Sequence, residues 1–293
     1  MSSRRTHAVL ATVAIVTLTA ACGSAASGGT GAKPSFAAGT TMARLSAAGT
    51  MTVGSKFDQP GFGLQGLDGK PSGFDVEIAK LIAAELGIPA DKITFVETPS
   101  KVREEVLEQG KVDLVAATYT INDKRKQRVT FAGPYYTAGQ DLMVAKDDTS
   151  ITGPESLKGQ PNARVCSGIG SVNADKIKPY LTNPAFQLVT FDVYSKCGDA
   201  LRTGQVKAVT TDNVILLGLV STSKGAFKLV GNAFTEEHYG LGVKKGDLAF
   251  CQFINGVLTK AVKSGAYEKA WAATGGRIQG AQTPDLPPLG NCG

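Results

Sequence analysis

The sequence predicts an α/β fold in which two similar blocks of alternating strands and helices each form a parallel-rich sheet flanked by helices. Between residues 50 and 117, three apolar strand-like segments are separated by segments whose apolar residues follow helical spacing. The same alternation recurs between residues 142 and 230. A chain of 293 residues with 42% hydrophobic residues is long enough for one large domain or two, and the repetition favours two.

The first block places two polar residues at strand ends. Its strands are predicted at residues 50–55, 93–97 and 112–117, its helices at 73–87 and 101–109, and a hairpin at 66–73. The first helix is predicted because apolar residues repeat at helical spacing and Gly87 ends the pattern. Ligands of open α/β sheets bind beyond the carboxyl ends of the strands, where Lys56 and Thr118 are expected.

The second block and the end of the chain complete the architecture. Strands are predicted at 142–145, 163–166, 188–191, 208–211, 227–230 and 238–243, and helices at 172–178, 194–203, from 214, and at 249–264. Tyr267 and Trp271 are expected to anchor the last helix in the core. Strands near Leu142 and Gly240 are the natural crossings between blocks. Lobe 1 is therefore predicted to contain residues 43–141 and 241–293, and lobe 2 residues 142–240.

The amino terminus predicts export. Arg4 and Arg5 precede an uncharged apolar stretch, residues 8–21, which is too short to span a membrane and ends in small residues. The residues before Cys22 resemble a bacterial lipobox, which a plain secreted protein would not need. Residues 1–21 are thus predicted to be a signal peptide, Cys22 a lipidated amino terminus, and residues 22–42 a flexible linker. The expected location is extracytoplasmic, anchored to the cell membrane.

The net charge of the chain limits the classes of ligand that it is expected to bind. Removal of Arg4 and Arg5 lowers the formal charge from +6 to +4, which suits an anionic ligand but is too small and scattered for nucleic-acid binding.

Four cysteines remain after Cys22, and an even number in an exported chain predicts two disulfides. Pairing in chain order needs the shortest loops, although three connectivities are open. The four are Cys166, Cys197, Cys251 and Cys292. A metal site is disfavoured because no two cysteines have ligand spacing and His238 is the only mature histidine.

Small polar residues and then a basic cluster follow the third predicted strand. Thr118 and Thr120 offer hydroxyls and amides, and Arg125 offers a planar fork of donors that suits a carboxylate. An alternative is that Asn122 and Asp123 merely cap a helix with a solvated basic first turn. The apolar turn expected at residues 131–136 favours a ligand site, because it would place the charges at the edge of a cleft.

Two strand ends in the second block are also candidates. The turn at residues 167–171 contains two glycines and opens a helix, so the amides at Gly170 and Ser171 are suited to an anion, although the glycines may simply serve a tight turn. Asp212 is either a helix cap or the partner of an ammonium group.

These segments resemble, in order, the extracellular solute-binding proteins of amino-acid ABC transporters. The most specific part is the sequence GFDVEI at residues 73–78, followed by TYTINDKR at 118–125, then the turn at 167–171 and Asp212. The resemblance covers nearly all of the mature chain. It implies the two-lobed, type II periplasmic-binding-protein fold, with two crossing strands, no cofactor and a monomeric state.

The resemblance also implies roles for the site residues. Arg125 would bind the α-carboxylate of an amino acid with help from Thr120 and the amides at Gly170 and Ser171. Thr118 and Asp212 would hold the α-ammonium group.

Lys56 and Arg103 align with two basic positions that receive a side-chain carboxylate in glutamate- and aspartate-binding relatives. Two cations beside a cleft favour an acidic ligand. Each residue also has an ordinary interpretation as part of the surface. The stacking aromatic is not determined, with Phe57 and Phe62 both candidates.

The predicted function is therefore capture of glutamate or aspartate for a membrane permease and its ATPase. Alternatives are a binding protein for glutamine or another polar amino acid, an amino-acid sensor, and an enzyme resembling the cyclohexadienyl and arogenate dehydratases. The enzyme alternative is disfavoured because the sequence has no evident Ser/His/Asp set or metal cluster.

Overall fold

Within residues 34–292, which a computed structural model of the protein describes, the chain forms two five-stranded sheets and a smaller three-stranded sheet. The predicted signal peptide, Cys22 and residues 23–33 of the predicted linker lie outside this range.

The helices and strands alternate along the chain. The α-helices are α1 (Thr41–Ala48), α2 (Phe74–Glu85), α3 (Arg103–Glu108), α4 (Asp123–Lys126), α5 (Val172–Lys176), α6 (Pro184–Gln187), α7 (Tyr194–Arg202), α8 (Asn213–Thr222), α9 (Leu248–Lys263) and α10 (Ala266–Ala273). The strands are β1 (Met51–Ser55), β2 (Asp58–Gln59), β3 (Gly63–Gln65), β4 (Pro71–Ser72), β5 (Ile93–Glu97), β6 (Leu114–Thr120), β7 (Val129–Ala138), β8 (Gln140–Ala145), β9 (Val165–Gly168), β10 (Leu188–Phe191), β11 (Ala208–Asp212), β12 (Phe227–Leu229) and β13 (Glu237–Lys244).

The first sheet has the strand order β5-β1-β6-β13-β7. Strand β1 pairs in parallel with β5 and β6, whereas β13 is antiparallel to both β6 and β7. Helices α2, α3 and α9 pack on this sheet. The parallel part, with its crossover helices, is the alternation that the sequence predicts.

The second sheet has the strand order β10-β9-β11-β8-β12. Strand β9 is parallel to β10 and β11, and β8 is antiparallel to β11 and β12. The chain passes from the first sheet to the second between β7 and β8, across Gly139, and returns between β12 and β13. Helices α5, α7 and α8 pack on the second sheet.

Strand β7 differs from the sequence prediction. The apolar turn expected at residues 131–136 is wrong, because these residues lie inside a ten-residue strand paired with β13. Gly133 and Pro134 suggested a turn, but they lie at a register shift opposite Gly240 on an edge strand. Edge strands and bulges are the places where a sheet tolerates proline.

An aromatic cluster joins α2, α10 and the first sheet. Phe74 packs edge-on against Trp271 with ring centroids 5.3 Å apart, and Tyr136 stacks on the same indole at 5.4 Å. Trp271 is 2% exposed and Tyr267 is fully buried. The predicted core role of both residues is confirmed.

The cysteines pair in chain order. Cys166 is bonded to Cys197 and Cys251 to Cys292, which is the favoured one of the three connectivities. The first bond joins β9 to α7, and the second attaches the proline-rich tail to α9.

In the described part of the chain, no helix combines the length and the apolar character that crossing a membrane requires.

Candidate functional site

One cavity between the two sheets brings together six of the eight residues predicted to bind a ligand. Arg103, Thr118, Thr120 and Arg125 come from elements of the first sheet, and Ser171 and Asp212 from elements of the second. The other lining residues are Ser100, Val172, Asn173, Tyr194 and Ile215. Gly170 lines the adjoining cleft, of about 260 Å³, with Arg125 and Ser171. Lys56 does not line either space.

Strand ends place these groups at the cavity. Strand β6 ends at Thr120, β9 ends just before the turn at Gly170, and β11 ends at Asp212. The carboxyl ends of β6, β9 and β11 therefore face the same region, as ligand sites of open α/β sheets require.

Thr118 is held in a backbone conformation that a β-branched residue rarely adopts. Its φ is +45°, in the left-handed region. The Thr118 amide donates to Asp75 Oδ2 at 2.8 Å, and its hydroxyl lies 3.0 Å from Gln59 Oε1. These buried partners fix the Thr118 carbonyl and side chain at the cavity wall.

Arg125 is directed inward by the cap of its short helix. Asn122 accepts a hydrogen bond from the Arg125 amide at 2.9 Å, so the capping interpretation of Asn122 is correct and coexists with a buried guanidinium. Arg125 is 6% exposed and donates to the Thr120 carbonyl at 2.7 Å and the Gly170 carbonyl at 3.3 Å. Its Nε lies 3.2 Å from Glu104 Oε1. Burial lowers the pKa of Arg125 to about 10, so the group remains charged at pH 7.

Arg103 is a second buried cation beside the first. It is 2% exposed and donates to the carbonyls of Ala117 at 2.8 Å and Thr118 at 3.3 Å. The Tyr119 ring lies 4.3 Å from the Arg103 guanidinium carbon and 5.0 Å from that of Arg125. Arg103 Nε is buried and has no hydrogen-bond partner among the described residues. Arg103 is therefore a cavity residue and not a solvated helix-face residue.

Lys56 lies behind the cavity wall. It is 3% exposed, and its ammonium group donates to Ser100 Oγ at 3.0 Å. Because Ser100 lines the cavity, Lys56 contacts that space through one intervening hydroxyl. Burial lowers the pKa of Lys56 to about 7, and the nearby charge of Arg103 acts in the same direction.

Asp212 supplies a buried carboxylate on the opposite wall. Its oxygens accept from Asn173 Nδ2 at 2.8 Å and from the Tyr239 hydroxyl at 2.6 Å. Burial raises the pKa of Asp212 to about 6, and the charge of Glu237 also raises it. Asp212 precedes α8 but makes no side-chain cap, so the helix-cap interpretation does not hold.

The turn after β9 approaches the segment between β5 and α3 closely. The Ser171 amide donates to the Gly168 carbonyl at 3.1 Å, and its hydroxyl accepts from the Ala174 amide at 3.1 Å. Gly170 has a φ of +76°, and a Cβ there would lie 2.7 Å from Lys101 Cα. Glycine is thus required at this position for conformation and for close approach.

Sequence reasoning did not assign functions to several residues of the site. Asp75 is fully buried and accepts from the Thr118 amide and the Tyr135 hydroxyl; burial raises its pKa to about 7. At the start of a helix it resembled an ordinary acidic residue of the first turn. Tyr194 is the aromatic residue that lines the cavity, whereas Phe62 packs in the aromatic core. The sequence feature that could have identified Tyr194 as a site residue is its position shortly after strand β10.

Comparison with known proteins identifies the family of the chain. Residues 51–273 match the bacterial extracellular solute-binding proteins, family 3. The chain belongs to this family. The glutamate-binding protein GluB of Corynebacterium glutamicum is 39% identical over 285 residues, covering 92% of this chain and 91% of that protein. The ABC transporter glutamine-binding protein GlnH of Bacillus subtilis is 37% identical, covering 87% of this chain and 91% of that protein.

A solved structure of the family has the same fold. The solute receptor for L-cysteine of Neisseria gonorrhoeae superimposes with a TM-score of 0.74 at 31% identity, covering 82% of this chain and 96% of that chain. The predicted fold class, a type II periplasmic-binding-protein fold, is confirmed.

Proposed function

We propose that this family member is the substrate-binding component of an ABC importer and that it captures an acidic amino acid, glutamate or aspartate. The observation that carries this proposal is the pair of buried guanidinium groups, Arg103 and Arg125, at one cavity, with Lys56 behind the cavity wall. Buried like charges are costly unless an anion lies between them. The relatives favour glutamate over glutamine by a small margin, since the glutamate-binding protein is 39% identical over 92% of the chain and the glutamine-binding protein 37% identical over 87%.

The site has a complementary group for each charge of the ligand. We assign the α-carboxylate to the fork of Arg125, with Thr120 and the turn at Gly170 and Ser171 beside it. The α-ammonium group is assigned to Asp212 and Thr118.

The side-chain carboxylate is assigned to Arg103, whose buried Nε lacks a protein partner in residues 34–292, and to Lys56 acting through Ser100. An amino acid can pair with every buried charge of the site, whereas a simple carboxylate would leave a buried charge unpaired. The site would therefore select the amino acid.

Capture is proposed to occur by closure of two lobes. We assign residues 43–138 and 237–293 to lobe 1 and residues 139–236 to lobe 2, because β13 pairs within the first sheet and β8 within the second. These bounds lie three to four residues before those predicted near Leu142 and Gly240. The contact between Arg125 and the Gly170 carbonyl joins the two. The segments between β7 and β8 and between β12 and β13 serve as hinges. We take this arrangement as the closed form, since residues of both lobes line the cavity. Because the cavity has a volume of only about 10 Å³, the lobes must separate to admit a ligand.

The cellular context follows from the family and the amino terminus. We propose that signal peptide 1–21 is removed, that lipid on Cys22 anchors the monomer outside the cytoplasmic membrane, and that the closed lobes deliver the ligand to permease subunits driven by an ATPase. Replacing Cys22 by Ser is expected to release the protein from the membrane fraction; continued membrane association would contradict the anchor.

Three alternatives have distinguishable consequences. A glutamine-binding protein would prefer the neutral side chain. A sensor would have the same binding chemistry but would crosslink in cells to a signalling protein and not to permease subunits. A dehydratase would convert arogenate or prephenate, which incubation of the purified protein with either compound would detect.

The experiment that tests the proposal uses ligand analogues that each lack one group. Calorimetry with the purified protein is expected to detect tight binding of glutamate or aspartate, and at least about a hundredfold weaker binding of glutarate, which lacks the ammonium group, and of γ-aminobutyrate, which lacks the α-carboxylate. Glutarate or γ-aminobutyrate binding as tightly as glutamate would overturn the assignment of the zwitterion site.

A further inference from the structure

A contact between the proposed lobes lies outside the ligand cavity. We propose that Asp58 and Gly218 form a latch that positions helices α7 and α8 of lobe 2 against strand β2 of lobe 1 and so stabilises the closed form. This inference rests on the proposed function, because it presumes that closure accompanies binding. It adds to that function two residues that do not line the ligand cavity.

Asp58 caps a helix that belongs to the other lobe. Asp58 Oδ2 accepts from the backbone amides of Tyr194 at 2.6 Å and Ser195 at 3.1 Å. The residue at the N-cap position of α7 is Val193, which makes no side-chain cap because it has no acceptor. The unpaired amides and positive end of a helix attract a carboxylate. Helix α7 therefore obtains its cap from across the cleft.

The same segment of lobe 1 approaches a second helix at backbone distance. Gly218 lies in the middle of α8, and a Cβ there would be 2.6 Å from the carbonyl oxygen of Pro60. Glycine inside a helix is less favourable than alanine, so its presence is explained by this close approach. An alanine at position 218 would prevent Pro60 and α8 from reaching the arrangement seen here.

Helix α7 connects the latch to the cavity. The Tyr194 amide binds Asp58, while the Tyr194 side chain lines the cavity and is 3% exposed. A Cβ at Gly168, in the ligand-side turn, would lie 2.8 Å from the Tyr194 ring, so the ring is tightly seated. When Asp58 holds the start of α7, it therefore fixes the ring that closes one wall of the site. Because the latch does not contact the ligand, it should raise the affinity for every ligand by the same factor.

The test compares two glycine-to-alanine variants. Gly198→Ala is the matched control, because Gly198 lies inside α7 and a Cβ there has no atom within 4 Å. Both variants should fold, and Gly198→Ala should bind as the wild type does. Gly218→Ala should bind glutamate at least about tenfold more weakly, with an unchanged ratio of glutamate to glutamine affinity. Asp58→Ala should behave like Gly218→Ala.

Two measurements separate the possible outcomes. Calorimetry gives the affinities, and small-angle X-ray scattering gives the radius of gyration of each variant with and without glutamate. Wild-type affinity in both Gly218→Ala and Asp58→Ala would overturn the latch while leaving the proposed function intact. If the wild type binds no amino acid, the proposed function is wrong. The latch is then tested by comparing the radii of gyration of the ligand-free proteins. The latch then predicts a larger radius for the two latch variants than for Gly198→Ala, and equal radii would overturn it.

Discussion

At the scale of single residues, the geometry of Arg125 matters as much as its charge. Its guanidinium is fixed by the Thr120 carbonyl, the Gly170 carbonyl and Glu104, and a fork held in this way matches a carboxylate. Lysine at this position would keep the charge but lose the fork.

We therefore predict that Arg125→Lys weakens binding of every amino acid by at least about a hundredfold, roughly 3 kcal/mol. Calorimetric titration with glutamate measures the loss. Arg44→Lys is the matched control, since Arg44 is exposed, pairs with Asp113 at the surface and lines neither the cavity nor the adjoining cleft, and it should bind normally. Nearly normal binding by Arg125→Lys would show that charge alone is sufficient.

Asp212 gives binding a dependence on pH. Its pKa is raised to about 6, so the carboxylate is fully ionised only above that pH. The proposed partner is an ammonium group, which binds the ionised form. Affinity for glutamate should fall about tenfold for each pH unit below 6, since the glutamate side chain itself stays ionised until nearly pH 4.

Titration of affinity between pH 4.5 and 8 tests this expectation. Asp212→Asn should bind weakly throughout and lack the fall attributed to this carboxyl. A wild-type affinity that stays constant down to pH 5 would contradict the assigned role of Asp212.

Most of the candidate site residues could be predicted from the sequence, because strand ends and charged residues are recognisable from short stretches of sequence. Thr118, Arg125 and Asp212 each follow a predicted strand, and the structure places all three at one cavity. The sequence did not indicate that Arg125 is buried while its neighbours Lys124 and Lys126 are exposed. That difference arises from contacts of the Arg125 guanidinium with Glu104 and with the Gly170 carbonyl, which only the folded chain brings together. The support of Thr118 by Asp75 also depends on a contact between distant segments.

At the scale of elements, periodicity predicted most helices and strands, whereas β7 was missed. The register shift opposite Gly133 and Pro134, on an edge strand, accommodates residues that normally interrupt strands. Only pairing with β13, more than a hundred residues later, identifies this segment as a strand. Rules based on neighbouring residues do not predict pairing between strands that are so far apart in the sequence.

The disulfide between Cys166 and Cys197 is predicted to support the site as well as stability. It joins β9 to α7, which carry Gly168 and Tyr194. Replacing both cysteines by serine should lower the free energy of unfolding by about 3 to 4 kcal/mol, the value expected from loop closure. Binding of glutamate should weaken too, because both elements adjoin the cavity. Denaturant unfolding and calorimetry measure the two effects.

The bond between Cys251 and Cys292 provides the comparison, since it attaches the tail to α9 and no residue of α9 or of the tail lines the cavity. Its removal should cost similar stability and leave affinity unchanged. Equal effects of both removals on affinity would show that the Cys166–Cys197 bond has no special connection to the site.

At the scale of the whole molecule, two sheets supply opposite halves of one polar cavity, and the ligand is proposed to complete the charge pairing between them. The family and fold class follow from motifs in the sequence. The exact fit between the halves does not, because it depends on contacts such as Gly170 with Lys101 and Asp58 with α7.

The most direct test of the central claim is a competition titration of glutamate against glutamine on the wild type and on Arg103→Ala. The account predicts that the wild type binds glutamate at least about tenfold more tightly than glutamine, a difference of roughly 1.4 kcal/mol, and that Arg103→Ala removes most of this preference while still binding glutamine. Tighter binding of glutamine by the wild type, together with an unchanged preference in Arg103→Ala, would contradict it.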